Sequence, residues 1–155
     1  MRNAKIIGTG HFVPEKILTN KDLSEMLGED INDFVENNLG ILERHVLGEN
    51  ESSANLGTEA AKMALKDAGI SAEEIDLIVL ATDTPEYMSP GTSVVVQHNI
   101  GAKNAGTFDT NAACAGFVTA LDTAVKYIQA DSNYKNVLVI GVYAMTKFLD
   151  WKEKK

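Results

Sequence analysis

The chain has 155 residues, 45% hydrophobic and 23% charged, a balance that excludes disorder and collagen-like repeats and fits one globular domain burying roughly 68–70% of its unfolded surface. Its single cysteine cannot form an intramolecular disulfide, and His11, His45 and His98 lie too far apart in sequence for metal-ligand spacing. Fourteen Lys and Arg against 22 Asp and Glu give a net charge of -8, which repels phosphate backbones and argues against a nucleic-acid partner.

The chain starts without an apolar run long enough for a signal peptide, and no later segment approaches the roughly 18 apolar residues of a membrane span. No membrane partner and a reducing, cytoplasmic setting are therefore expected. Residues 5–9, Lys5-Ile6-Ile7-Gly8-Thr9, read as a first strand. Residues 20–27 and 30–39 follow as two short helices. Residues 53–68 place Leu56, Ala60, Met63, Ala64 and Ala68 at helical spacing, with Ser52 and Ser53 as capping candidates and Gly69 as the stop.

Residues 75–82 read as a second strand, with Leu77-Ile78-Val79-Leu80 apolar at successive positions, as a strand covered on both faces requires. Residues 83–89, containing Pro85, form a loop at its C-terminal end, the edge where open α/β sheets place their sites. Residues 90–100 are expected to be helical with Pro90 in the first turn. Residues 105–109 are a third strand, and residues 113–130 a long helix whose stripe of Phe117, Leu121, Ala124, Val125 and Ile128 should lie against the sheet. Residues 136–142 are a fourth strand, again read as central. The alternation argues for a mostly parallel α/β sheet with helices on both faces. No repeat or linker divides the chain. After the last strand the sequence runs through Phe148-Leu149-Asp150-Trp151 into Lys152-Glu153-Lys154-Lys155; composition leaves open whether this is an ordinary charged tail.

The lone cysteine carries the chemical interest. Cys114 falls at the junction of the third strand and the long helix, within Thr107-Phe108-Asp109-Thr110-Asn111-Ala112-Ala113-Cys114-Ala115-Gly116-Phe117. Unpaired N–H groups at a helix N-terminus favour the thiolate, small neighbours leave room for a substrate, and a backbone N–H there can stabilise an oxyanion. Taken alone, the residue fits core packing as well, because free cysteine is among the most buried residue types.

The string Asn111-Ala112-Ala113-Cys114-Ala115-Gly116-Phe117, preceded by Phe108-Asp109, closely resembles the active-site segment of β-ketoacyl-acyl-carrier-protein synthase III, the initiating condensing enzyme of the thiolase-like superfamily. Residues 5–10 through Pro14, the stretch Gly40-Ile41 to Glu43-Arg44-His45, and Asp76-Leu77-Ile78-Val79-Leu80-Ala81-Thr82 agree with it. The resemblance implies a thiolase-like half-domain, with a mostly parallel five-stranded type of sheet whose last strand is missing here. Residues 1–155 would form the N-terminal half, the C-terminal half being absent from this chain. It also implies that Cys114 accepts an acyl group from an acyl-CoA primer, after which malonyl-acyl-carrier-protein decarboxylates and its carbanion attacks the thioester. A His and an Asn of the second half would serve that step, and His11, His45 and His98 match neither. No cofactor is implied beyond these substrates; acyl carrier protein, acyl-CoA and a second copy in a homodimer are the implied partners.

Substrate-facing positions depart from the family pattern. Phe34 stands where CoA-primed members stack a tryptophan on adenine, and Asn38 where they carry an arginine for the nucleotide, which removes a charge. Lys154 falls at another CoA-contacting arginine and keeps the charge, while Ser89 replaces a phenylalanine that closes the acyl pocket across the dimer interface. These changes suggest a bulkier or longer primer than acetyl, or a carrier-bound one. Two alternatives remain: an acyltransferase of secondary metabolism without condensation, and a non-catalytic or two-chain half-domain. On either fragment reading the 155-residue chain alone is expected to be inactive in condensation, and to expose an apolar face.

Overall fold

The computed structural model describes residues 2–151, which form two compact units. One runs from the N-terminal segment to Phe12 and resumes over Ser52–Tyr143; the other comprises Val13–Glu51 with the stretch from Ala144 onward.

The first unit is an α/β layer built on three parallel strands in the order β4-β3-β5: β3 (Leu77–Ala81), β4 (Gly106–Thr110) and β5 (Val137–Gly141). Every residue of β3 is buried, because helices cover both faces. Ile78 and Leu80 point into a core shared with α3 (Ser53–Ala68) and α4 (Thr92–Ile100), among Ala61, Leu65, Val96, Leu138 and Ile140. Leu77, Val79 and Ala81 point to the opposite face and meet Ala120 of α5 (Gly116–Ala130), with Phe108 and Tyr127 packed alongside. Each fully buried aliphatic side chain contributes about 1.5–3 kcal/mol relative to exposure, so this central strand anchors the unit.

α3 has the expected bounds. The Ser52 hydroxyl accepts from Asn55 N–H at 3.2 Å, and Gly69 ends the helix in the left-handed conformation with φ 68°. β5, read as central, is instead an outer strand of the described sheet. Among the described residues it pairs with β3 alone, and its residues alternate between half-buried and buried up to the exposed Gly141.

The expected first strand does not form. Residues 5–9 belong to no strand and line a groove of about 500 Å³ whose opposite rim is β5. Gly8 and Gly10 press against α3, where a Cβ on Gly8 would lie 2.6 Å from the Ala64 carbonyl oxygen, and Thr9 N–H donates to Asp67 at 2.8 Å. The segment is thus held by a helix and faces a gap where a ladder partner would be.

The α5 stripe of Phe117, Leu121, Ala124, Val125 and Ile128 turns to this groove. Gly116, Ala120 and Ala124 are buried on the helix, while Phe117 is 49% exposed. The stripe faces β5, with Phe117 lying against Gly141, and lines the groove beside that strand.

The second unit contains an antiparallel pair that the sequence pattern did not disclose, β1 (Ile17–Thr19) with β2 (Glu43–His45), in register Leu18↔Arg44. Three residues apiece are too few to show a period. α1 (Asn20–Leu27) starts with a reciprocal capping box between Thr19 and Asp22 and stops at Gly28. Arg44 donates to Asn20 Oδ1 at 2.6 Å and to the Leu18 carbonyl at 3.3 Å, and Asn20 Nδ2 donates to the Ile41 carbonyl at 2.8 Å. Asn20 is buried with its polar atoms partnered, which satisfies the requirement on buried polar groups. The helix expected over residues 30–39 is divided: α2 (Asn32–Phe34) gives way to a π-helical turn, Val35–Leu39, closed by Gly40 with φ 67°.

Candidate active site

β3 and β4 run parallel with Ala81 opposite Thr110, so the segments leaving them emerge side by side, and Thr82 N–H donates to the Thr110 carbonyl at 3.1 Å. The cysteine turn leaves β4 here and the loop of residues 83–91 leaves β3. Both stand at the C-terminal edge of the sheet, the location expected for a site in this architecture.

Cys114 lies in a short 3-10 turn, Ala113–Ala115, and α5 proper begins at Gly116, so the long helix starts three residues later than its periodicity suggested. The turn is tight. Ala113 has φ 44°, a left-handed conformation that costs a non-glycine residue about 1–2 kcal/mol. It is braced by Ala115 N–H donating to the Ala112 carbonyl at 3.0 Å and by Ala113 N–H facing Asn111 Oδ1 at 3.4 Å. Gly116 is buried, and a Cβ there would approach the Ala81 Cβ to 3.3 Å, so glycine lets α5 start close against β3.

The turn presents Cys114 to solvent as a free, exposed thiol. α5 has no side-chain cap at its N-terminus, and it begins two residues after the cysteine. Core packing, the competing role for a lone cysteine, does not apply to an exposed side chain. An accessible thiol at a helix start, flanked by Ala112, Ala113 and Ala115, can attack an electrophilic carbonyl.

The adjacent loop is stitched to its surroundings at several points. Thr84 N–H donates to Thr82 Oγ1 at 3.0 Å, Ser53 Oγ to the Thr84 carbonyl at 2.5 Å, and Glu86 N–H to Thr92 Oγ1 at 3.0 Å. Ser89 is exposed in this loop, before a cis peptide bond to Pro90. Pro90 is not in the first turn of α4 as expected: Gly91 precedes the helix, which begins at Thr92. The reason is a carboxylate from another strand. Asp109 of β4 accepts from Thr92 N–H at 2.6 Å and from Ser93 N–H at 2.8 Å, and so sets where α4 starts. In the sequence Asp109 stands out only as part of the Phe108-Asp109 motif, because a cap from 16 residues away leaves no local signature.

In the second unit, Phe34 is 63% exposed at the end of α2, and Asn38, one turn later, donates from Nδ2 to the Phe34 carbonyl at 3.1 Å. The structure therefore brings these two predicted positions together on one exposed turn. Lys154 lies outside the described residues. The histidines stand apart from Cys114 in role: His98 is on the exposed side of α4, and His45 Nδ1 is 2.6 Å from the Pro14 carbonyl. Among the described residues no group of His, Cys, Asp and Glu could hold a metal ion, and no helix is long and apolar enough to cross a membrane.

Comparison with known proteins gives this geometry a context. The family model for 3-oxoacyl-acyl-carrier-protein (ACP) synthase III matches residues 108–155, the portion holding Asp109 and Cys114. The chain is 44% identical over 154 residues to the β-ketoacyl-acyl-carrier-protein synthase III of Clostridium acetobutylicum, covering 99% of this chain and 46% of that protein. Among solved structures, the 3-oxoacyl-acyl-carrier-protein synthase III of Aquifex aeolicus superposes with a TM-score of 0.90 at 42% identity, covering 97% of this chain and 48% of the other. The priming β-ketosynthase of the R1128 polyketide pathway superposes with a TM-score of 0.92 at 33% identity, covering 99% and 45%. The chain thus spans about half the length of the relatives it matches. The resemblance first seen around Cys114 extends along the whole chain, in sequence and in the thiolase-like α/β fold.

Proposed function

We propose, on the premise of that kinship with β-ketoacyl-acyl-carrier-protein synthases III, that this chain is the nucleophile-bearing N-terminal half of such a condensing enzyme. The observation that carries the reading is the exposed Cys114 thiol, held at a strand-to-helix turn on the C-terminal edge of a parallel sheet. The Cys114 thiolate attacks the carbonyl of an acyl thioester, the bond from that carbonyl to the CoA sulfur breaks, and CoA leaves as a thiol after taking up a proton. A malonyl group on acyl carrier protein then loses carbon dioxide, and its carbanion attacks the acyl carbonyl on Cys114. The cysteine thiolate is released and the 3-oxoacyl product stays on the carrier.

The groups that promote decarboxylation belong to a second half of the polypeptide, and the groove beside β5 supports this division. Its rims are residues 4–10 and the edge of β5 that is unpaired among the described residues, and its walls are apolar side chains of α3 and α5. A further strand seated there would complete the sheet.

Phe34 and Asn38 are proposed as contacts for the CoA portion, Asn38 binding the nucleotide without a charge, and Lys154 as a phosphate contact. Ser89 leaves the acyl pocket deep, in keeping with a primer larger than acetyl. Acyl carrier protein is the second substrate's carrier, and the whole enzyme works as a cytoplasmic homodimer.

Incubation with acyl-CoAs of graded length, followed by intact-mass and peptide mapping, tests the reading. Acyl mass is expected on Cys114 and none on the Cys114→Ala variant. An adduct elsewhere, or none at all, overturns the proposal, and acylation by acetyl-CoA alone overturns the choice of primer.

A further inference from the structure

Phe34 and Asn38 sit on a segment that cannot orient itself. α2 is three residues long and the π-helical turn after it five, and neither contains a buried residue. So short a helix draws its stability from contacts outside itself.

Asn20 supplies such contacts at both ends of the segment. It is the first residue of α1 and is 3% exposed. Its Nδ2 carries two protons and meets two acceptors: Asn32 Oδ1 at 3.3 Å, where the segment begins, and the Ile41 carbonyl at 2.8 Å, where it ends. Its Oδ1 accepts from Arg44 Nη2 at 2.6 Å, and Arg44 Nη1 also donates to the Leu18 carbonyl of β1 at 3.3 Å. A guanidinium can only donate, so it fixes the amide with its oxygen toward Arg44 and its NH2 toward the segment. Turning a buried amide the other way would strand polar groups without partners. The β1–β2 pair thus holds the amide, and the amide holds both ends of residues 32–41.

The tie continues into the turn. Asn32 Nδ2 donates to Glu36 Oε2 at 3.3 Å, and Asn38 Nδ2 closes on the Phe34 carbonyl at 3.1 Å. The bond from Ile31 N–H to Ser24 Oγ at 3.2 Å steadies the start of the segment but does not reach its end.

The geometry points to Asn20 as a positioning residue that draws both ends of this segment to one amide, sets Phe34 and Asn38 in place, and so governs how strongly the nucleotide part of an acyl-CoA is held. The inference rests on the reading of Phe34 and Asn38 as CoA contacts. It makes Asn20 act on the carrier of the acyl group and not on the thiol. Asn20→Asp keeps the size and the Arg44 contact but removes both donors. Asn32→Ala cuts the first tie alone, at a residue that is only half-buried.

Hexanoyl-CoA and S-hexanoyl-N-acetylcysteamine deliver the same acyl group, and the second lacks the nucleotide. Rates of Cys114 acylation by each are read by intact mass in the wild type and both variants. The wild type is expected to prefer the CoA thioester. Asn20→Asp should lower the CoA-to-N-acetylcysteamine rate ratio about tenfold and Asn32→Ala about threefold, with the N-acetylcysteamine thioester changed by no more than about twofold. Hydrogen exchange at the amides of Val35, Gly40 and Ile41 should quicken in both variants while that of α3 stays as it was.

An unchanged ratio in the folded variants refutes the inference, as does unchanged exchange or an equal slowing with both thioesters. Should far-UV circular dichroism show Asn20→Asp unfolded, Asn32→Ala decides by the same measures. A wild type acylated equally by the two thioesters, or by neither, sinks the reading of Phe34 and Asn38 as CoA contacts and takes the inference with it. A wild-type preference that survives in the variants removes the inference alone.

Discussion

Replacing Ala113 by glycine is predicted to make the protein more stable while impairing its thiol chemistry. Ala113 holds φ 44° immediately before Cys114 and is exposed, so the substitution removes steric strain and sacrifices no buried contact. Relief of a left-handed alanine returns about 1–2 kcal/mol. The greater freedom of glycine in the unfolded chain takes back about 0.4–1 kcal/mol. The net expectation is a gain of about 0.5–1 kcal/mol, and for a chain of this size each kcal/mol moves the midpoint by about 2–4 °C, so Tm should rise by about 1–4 °C. Acylation of Cys114 should slow at the same time, because the turn that presents the sulfur no longer has a single preferred geometry. Thermal unfolding by circular dichroism reads the first effect and intact-mass kinetics the second. A lowered Tm would refute the claim that the turn is strained, and an unchanged acylation rate would refute the claim that its rigidity serves the thiol.

Gly8→Ala should destabilise the first unit by about 1–3 kcal/mol in urea titration, since its Cβ would sit 2.6 Å from the Ala64 carbonyl oxygen and 2.7 Å from the Ala68 Cβ; unaltered stability would mean that the N-terminal segment is not seated on α3. Asp22 is held below its ordinary pKa of 3.8, chiefly by the hydrogen bond from the Thr19 hydroxyl and then by the Thr19 backbone N–H. A carboxylate with a depressed folded-state pKa stabilises fully above its unfolded value, and that contribution fades as pH falls through the folded value. Asp22→Asn should therefore lower Tm at neutral pH and flatten the acid limb of the Tm profile below about pH 4; an acid limb identical to wild type would show that the capping box contributes nothing.

The helices most legible in the sequence were those with local start and stop signals. α3 has Ser52 and Gly69 at its ends, and α1 ends at Gly28, so each runs between the bounds its residues suggest. β3 was equally plain, because Leu77-Ile78-Val79-Leu80, apolar at successive positions, suit a strand buried on both faces. β1 and β2 were not legible, being three residues each and held by one another and by Arg44. Residues 5–9 have the composition of a strand but lack a neighbour to pair with, and a ladder is a property of two segments, not one. The start of α4 was misplaced for a related reason: the group that caps it, Asp109, arrives from another strand.

For the site, the sequence by itself was enough to single out Cys114 and the strand-helix junction around it, since one cysteine in a small-residue motif is a local pattern. It also determined the alternation of strands and helices, which depends on periodicities within single segments. Only the tertiary structure decided that the thiol is exposed, that Ala113 is strained behind it, and that Asp109 caps the start of α4. Those features come from contacts between residues distant in sequence, whose energies depend on where parallel strands put their ends. The same reason explains β5: its apolar run indicates a strand, but only the packing shows one edge bonded to β3 and the other facing a groove.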